Sequence, residues 1–184
     1  MRGLAAQLGI SDDGGAYVNH LEELVAEWYE YQGYFVRRNV RVGRRPGGGH
    51  ECELDVVAFH PVTKKLVQIE PSTDATSWAT REMRYAKKFA AGKRHIPRLF
   101  QGLDVPNEID QVALFLIGGN RGGAPIAGGR VLLVKELIVE ILSALAGKRL
   151  YSEAVPESFP LIRTLQLVAE YRGRVAQALG KVHS

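Results

Sequence analysis

The chain has 184 residues, 46% hydrophobic and 24% charged, a composition that suits one globular domain without staples. Its formal net charge of +4 permits a nucleic-acid partner without requiring one. A single cysteine, Cys52, excludes an internal disulfide, and no run reaches the ~18 apolar residues of a membrane span. Met1–Ile10 lacks the layout of a secretory signal, so a cytoplasmic location with no membrane contact is expected.

The first periodic segment is Tyr17 to Gln32. Val18, Leu21, Leu24, Val25, Trp28, Tyr29 and Tyr31 recur at helical spacing, and Gly33 stops the helix. Tyr34 to Val42 reads as a strand, followed by a loop from Gly43 to Gly49. Glu51 to His60 is a second strand and Lys65 to Glu70 a third, with a turn over His60–Lys64 between them. These two are expected to pair antiparallel. Pro71, which cannot donate to a ladder, is expected to end the third strand.

Asp74 to Ala91 is predicted as a second helix, capped by Ser72, Thr73 or Asp74. Gln111 to Ile117 is a continuous apolar run, the mark of a strand buried on both faces and paired in parallel. Gly118 to Gly129 is a glycine-rich loop. Arg130 to Val134 can form a further strand, Lys135 to Ala146 a helix, and Phe159 to Leu179 a last helix. The Lys135–Ala146 helix is apolar enough to pack on the core or on a second copy of the chain. The order implies an α/β protein with a mixed sheet covered by helices on both faces.

Charge is clustered. Arg37, Arg38, Arg41, Arg44 and Arg45 form one basic group. A second runs through Arg81, Arg84, Lys87, Lys88, Lys93, Arg94 and Arg98. Two acids sit where apolar strands would not ordinarily hold them. Asp55 interrupts the second strand just before Val56-Val57-Ala58-Phe59, and Glu70 ends Leu66-Val67-Gln68-Ile69. An acid in such a strand is costly without a partner. On adjacent antiparallel strands the two can converge on one divalent cation, and a cation held by carboxylates both neutralises a phosphodiester and activates water.

Helix, three strands, helix, strand, with an aspartate in one strand and an acid ending the next, resembles the PD-(D/E)xK nuclease superfamily, the restriction endonuclease-like group. The likeness covers residues 17–117, and residues 118–184 form a C-terminal helical extension of the same single domain. It implies a metal-dependent nuclease hydrolysing DNA phosphodiesters with Mg2+ or Mn2+ on Asp55 and Glu70. It also implies an acid from the first helix. Glu22, which borders the Val18/Val25/Tyr29 stripe, fits better than Glu23.

The chain departs from the pattern at Ser72, which stands where the family has lysine and cannot act as a base or balance charge. A basic residue can instead reach in from the second helix, and Arg81, Arg84, Lys87 and Lys88 are the candidates. Lys87 is taken as the catalytic one, beside Glu22, Asp55, Glu70 and Ser72. Arg37, Arg38, Arg41, Arg44, Arg45, Arg81, Arg84 and Lys88 are taken as phosphate contacts. A register with Gln68 as the polar ligand is less natural. The alternative function is a catalytically inactive protein on the same scaffold that binds DNA or a protein partner.

Overall fold

The computed structural model describes residues 19–117 and 124–180. The elements run α1 (His20–Tyr31), β1 (Phe35–Arg44), β2 (His50–Phe59), β3 (Leu66–Ser72), α2 (Trp78–Leu99), β4 (Asp110–Phe115), β5 (Arg130–Leu133), α3 (Val134–Leu145), α4 (Pro160–Glu170) and α5 (Arg172–Gly180). Tyr17, Val18 and the first half of the glycine-rich loop, residues 118–123, lie outside the described residues. The strands form one five-stranded mixed sheet in the order β1-β2-β3-β4-β5. β1, β2 and β3 pair antiparallel, while β4 and β5 join in parallel.

Alternation along the buried strands assigns the two faces. Val67 and Ile69 of β3, with Val112 and Leu114 of β4, pack against Val25, Ala26 and Trp28 of α1, Leu137, Ile141 and Leu145 of α3, and Ile162 of α4. Thus α3 packs on the core. On the other face, Leu66, Val57 and Phe59 meet Ala91 and Ile96 of α2, and Ala113 and Phe115 meet Tyr85 and Phe89. The sheet is therefore flanked by helices on both sides. No helix among the described residues is long and apolar enough to cross a membrane.

Several boundaries differ from the sequence expectation, among them the end of β4, which stops at Phe115 and not at Ile117, and in four elements the reason is local. β1 runs on through Gly43 and Arg44, because Arg44 registers with His50 and the turn is confined to the residues between. β3 runs through Pro71 to Ser72. Beyond Ile69 it has no partner on its β2 side, so a residue without an N–H is tolerated there while β4 continues the ladder on the other side. α2 starts at Trp78, capped by Ser77, and continues past Gly92 to Leu99. The last helical stretch is two helices, broken at Tyr171.

One break in alternation shapes the site. Val36 and Val56 pack on the α1 side, but Val40, Val42 and Leu54 pack on the α2 side. The change of side falls between the Arg38–Val56 and Val40–Leu54 pairs, the interval that holds Asn39 and Asp55, and Asn39 has a φ of 51°. Asparagine is among the few side chains that adopt this left-handed conformation readily. The switch leaves Asp55 half-buried at the point where the sheet changes faces.

Candidate active site

β3 is buried along its whole length, so every polar side chain on it must find a partner. Gln68, Glu70 and Ser72 are at alternate positions, and all three contact α2. Glu70 is fully buried. The β2–β3 ladder ends at Val56 opposite Ile69, so the next step places Asp55 opposite Glu70. The two carboxylates meet at the fork where β2 leaves β3.

Lys88 of α2 fills that fork. Its Nζ donates to Asp55 Oδ1 and Oδ2, both at 2.7 Å, and to Glu70 Oε2 at 2.5 Å. Burial alone would lower the Lys88 ammonium, but Glu70 and Asp55 together outweigh it and hold its pKa above the ordinary lysine value. Burial, and then the neighbouring Asp55 charge, push Glu70 up to about 8, against which Lys88 and Gln68 pull only partly. The dry surroundings and the Asp55 charge thus favour a proton in the fork, and the Lys88 ammonium opposes it.

That shift has a consequence for stability. The pKa of Glu70 is raised on folding, so its contribution is fully present below the ordinary value of 4.5 and is lost as pH rises toward about 8. Glu22 and Glu27, also raised by burial, act in the same direction. In chelator-treated protein, urea unfolding should show stability falling across that window by about 1 kcal/mol or more. The slope should flatten in Glu70→Met; equal slopes would show that Glu70 titrates normally.

The remaining predicted site residues separate into distinct places. Glu22 is half-buried near the site and accepts from Asn19 Nδ2 at 2.6 Å. Burial and then the Asp55 charge raise its pKa. Glu23 instead pairs with Arg38 at 3.4 Å. Ser72 donates to Asp74 Oδ2 at 2.8 Å and accepts from Arg84 Nη2 at 3.0 Å. Arg84 also bonds Asp74 directly. Burial opposes ionisation of Asp74, but Arg84, Ser72 and Thr76 hold its carboxyl well below the usual range. Asp55, Glu70, Ser72, Asp74, Arg84 and Lys88 line one cleft of about 240 Å3.

Lys87 is a correction. It is exposed, and one residue further along the helix turns Lys88, not Lys87, into the acids. Helix phase carried the signal, because Arg81, Arg84, Tyr85 and Lys88 lie on one stripe and Lys87 lies off it. Lys88 itself, taken as a phosphate contact, is occupied by the two carboxylates.

The arginines are also sorted by the fold. Arg38 is half-buried and bonds Glu30 at 2.6 and 2.8 Å. Arg81 is buried, with its guanidinium 4.4 Å from the Phe115 ring and a 2.6 Å bond to the Asp74 carbonyl. Neither presents a free face to a phosphate, which corrects that expectation for both. Arg37, Arg41, Arg44 and Arg45 are exposed, although Arg41 pairs with Glu53 and Arg37 bonds the Leu99 carbonyl at the end of α2.

Sequence reasoning also missed a pair of buried amides behind Glu70. Gln68 Nε2 donates to Glu70 Oε1 at 2.8 Å, and Gln68 Oε1 accepts from Gln111 Nε2 at 2.7 Å. The Gln68 oxygen is thus already engaged, which disfavours the register with Gln68 as a ligand. The available signal was the period of two in a strand with no exposed face.

Among the described residues, no group of three or more His, Cys, Asp or Glu side chains is gathered closely enough to hold an ion. Asp55 and Glu70 nonetheless fit a hard divalent cation. Their oxygens surround a position that already holds a cationic nitrogen, and Mg2+ is commonly held by one or two carboxylates with waters completing its shell. Comparison with family models, with curated proteins and with solved structures found no match.

Proposed function

We propose that this chain is a metal-dependent nuclease of the restriction endonuclease-like type that hydrolyses DNA phosphodiesters, with the missing motif lysine supplied by Lys88 of α2. The observation that carries the reading is the joint contact of one ammonium with Asp55 and Glu70. The element order α1-β1-β2-β3-α2-β4, with β4 parallel to β3, agrees with the resemblance drawn from the sequence.

Asp55 and Glu70 would hold Mg2+ or Mn2+, which supplies charge neutralisation at the phosphoryl oxygens and a water of lowered pKa. The protein's own groups do the rest. Gln68 fixes one Glu70 oxygen and leaves the other facing the cleft. Lys88 places a permanent positive charge beside the acids, where it can balance the negative charge that grows as water attacks phosphorus. Ser72 has no such charge, and its hydroxyl is engaged with Asp74 and Arg84. The exposed Arg37, Arg44 and Arg45 offer contacts to flanking phosphates, which would make binding strongly salt-dependent.

Incubation with supercoiled plasmid and with branched DNA tests the reading. Nicked or linear product should form with Mg2+ or Mn2+ and disappear when the ion is chelated. Binding of the same DNA without any turnover would instead favour a nuclease-fold protein that has lost catalysis.

A further inference from the structure

We propose that Gln111, a residue of β4 that touches neither carboxylate, is a positioning residue for the Asp55–Glu70 site and acts through Gln68. This inference rests on the nuclease reading for its cation, but its geometry stands apart from it. Gln68 and Gln111 are both buried. Gln111 Nε2 donates to the Phe89 carbonyl at 2.8 Å and to Gln68 Oε1 at 2.7 Å. Gln68 Nε2 donates to the Lys88 carbonyl at 3.2 Å and to Glu70 Oε1 at 2.8 Å.

The polarity of this chain is fixed at two points. A backbone carbonyl can only accept, so Phe89 and Lys88 each demand a donor from the amide facing them. Flipping either amide would set oxygen against oxygen in a dry interior. Gln111 must therefore offer N–H to Gln68, and Gln68 must offer N–H to Glu70. The consequence reaches the site. Oε1 of Glu70 is tied back into the interior, and Oε2 is the oxygen left facing Lys88 and the cleft.

The approach also depends on a helix without a side chain at one position. A Cβ on Gly92 would lie 1.9 Å from Gln68 Oε1, so the amide reaches the backbone of α2 only because residue 92 is glycine. The helix that carries Lys88 and the strand that carries Glu70 are thereby locked in one register. Groups behind a metal ligand typically change affinity by about 10–100-fold when removed.

Gln111→Leu removes the donor while keeping an apolar volume close to the original. Gln166→Leu is the control, because Gln166 is also buried but bonds backbone groups of the segment between α3 and α4. The Mn2+ concentration for half-maximal binding should rise by about tenfold or more in Gln111→Leu and stay unchanged in Gln166→Leu. In metal-free protein, the side-chain carboxyl 13C resonance of Glu70 should move in the first variant and not in the second. If both the resonance and the Mn2+ midpoint match wild type in Gln111→Leu, the positioning role is wrong. If wild type binds no Mn2+ but the Glu70 resonance still moves, the nuclease reading fails and the positioning role stands.

Discussion

Replacing Lys88 by methionine should lower metal-dependent DNA cleavage by about 100–1000-fold, the usual loss when one preorganised charge at a reacting phosphate is removed. The same change at Lys87 should stay within about threefold, as for an exposed surface charge. The contrast follows from one step of helix rotation. Lys88 reaches both Asp55 and Glu70, whereas Lys87 is exposed. Lys88→Met should also bind Mn2+ at least as tightly as wild type, because the ammonium no longer competes for the same oxygens.

A second site of rescue sharpens this expectation. Ser72 is two residues beyond Glu70 on the strand and lines the same cleft. Ser72→Lys placed in the Lys88→Met background should recover at least about tenfold of the lost rate, a coupling expected for neighbours that share one function. Initial cleavage rates at saturating Mn2+ measure all four proteins. Equal losses at Lys87 and Lys88, or none at Lys88, would remove the lysine from the proposed chemistry.

Gly92→Ala should destabilise the protein by about 3 kcal/mol, at the upper end of the range for overpacking a filled interior. On an open helix surface the same change would stabilise by about 1 kcal/mol, so the sign is the test. The added methyl would meet Gln68 Oε1 at 1.9 Å and its Cδ at 2.6 Å. Gln68 has no room to yield, since it is fully buried and bonded to Glu70, Gln111 and the Lys88 carbonyl. For a domain of this size the loss corresponds to a Tm lower by about 6–12 °C. A thermal melt at or above wild type would show that α2 does not press on Gln68.

Much of the framework was legible because its signals are local. The period of α1, the antiparallel β2–β3 pair across His60–Lys64, and the buried parallel character of Val112–Phe115 all lie in contiguous sequence. Asp55 and Glu70 stood out because each is an acid in an apolar strand. The missed features depend on what surrounds a residue in space. Pro71 continues β3 only because β2 has already left that edge. Gly92, an apparent helix stop, lies within α2 because a strand side chain occupies the space its Cβ would fill.

The same distinction governs the basic residues. Arg38 and Arg81 look like members of two positive runs, yet Glu30 takes the first and Phe115 with the Asp74 carbonyl takes the second. A charge count cannot tell a guanidinium spent on the fold from one offered to a ligand. For Lys88 against Lys87, the helix phase set by Tyr85 and Phe89 holds the answer, since both rings face the sheet.

Titration of metal-free protein with Mn2+ by calorimetry tests the central idea most directly, that β2 and β3 bring two carboxylates to one cation. One ion should bind per chain, and binding should vanish in Asp55→Ala and in Glu70→Ala while both variants keep a cooperative melt. Wild-type protein that takes up no ion, or variants that bind as wild type does, would contradict it.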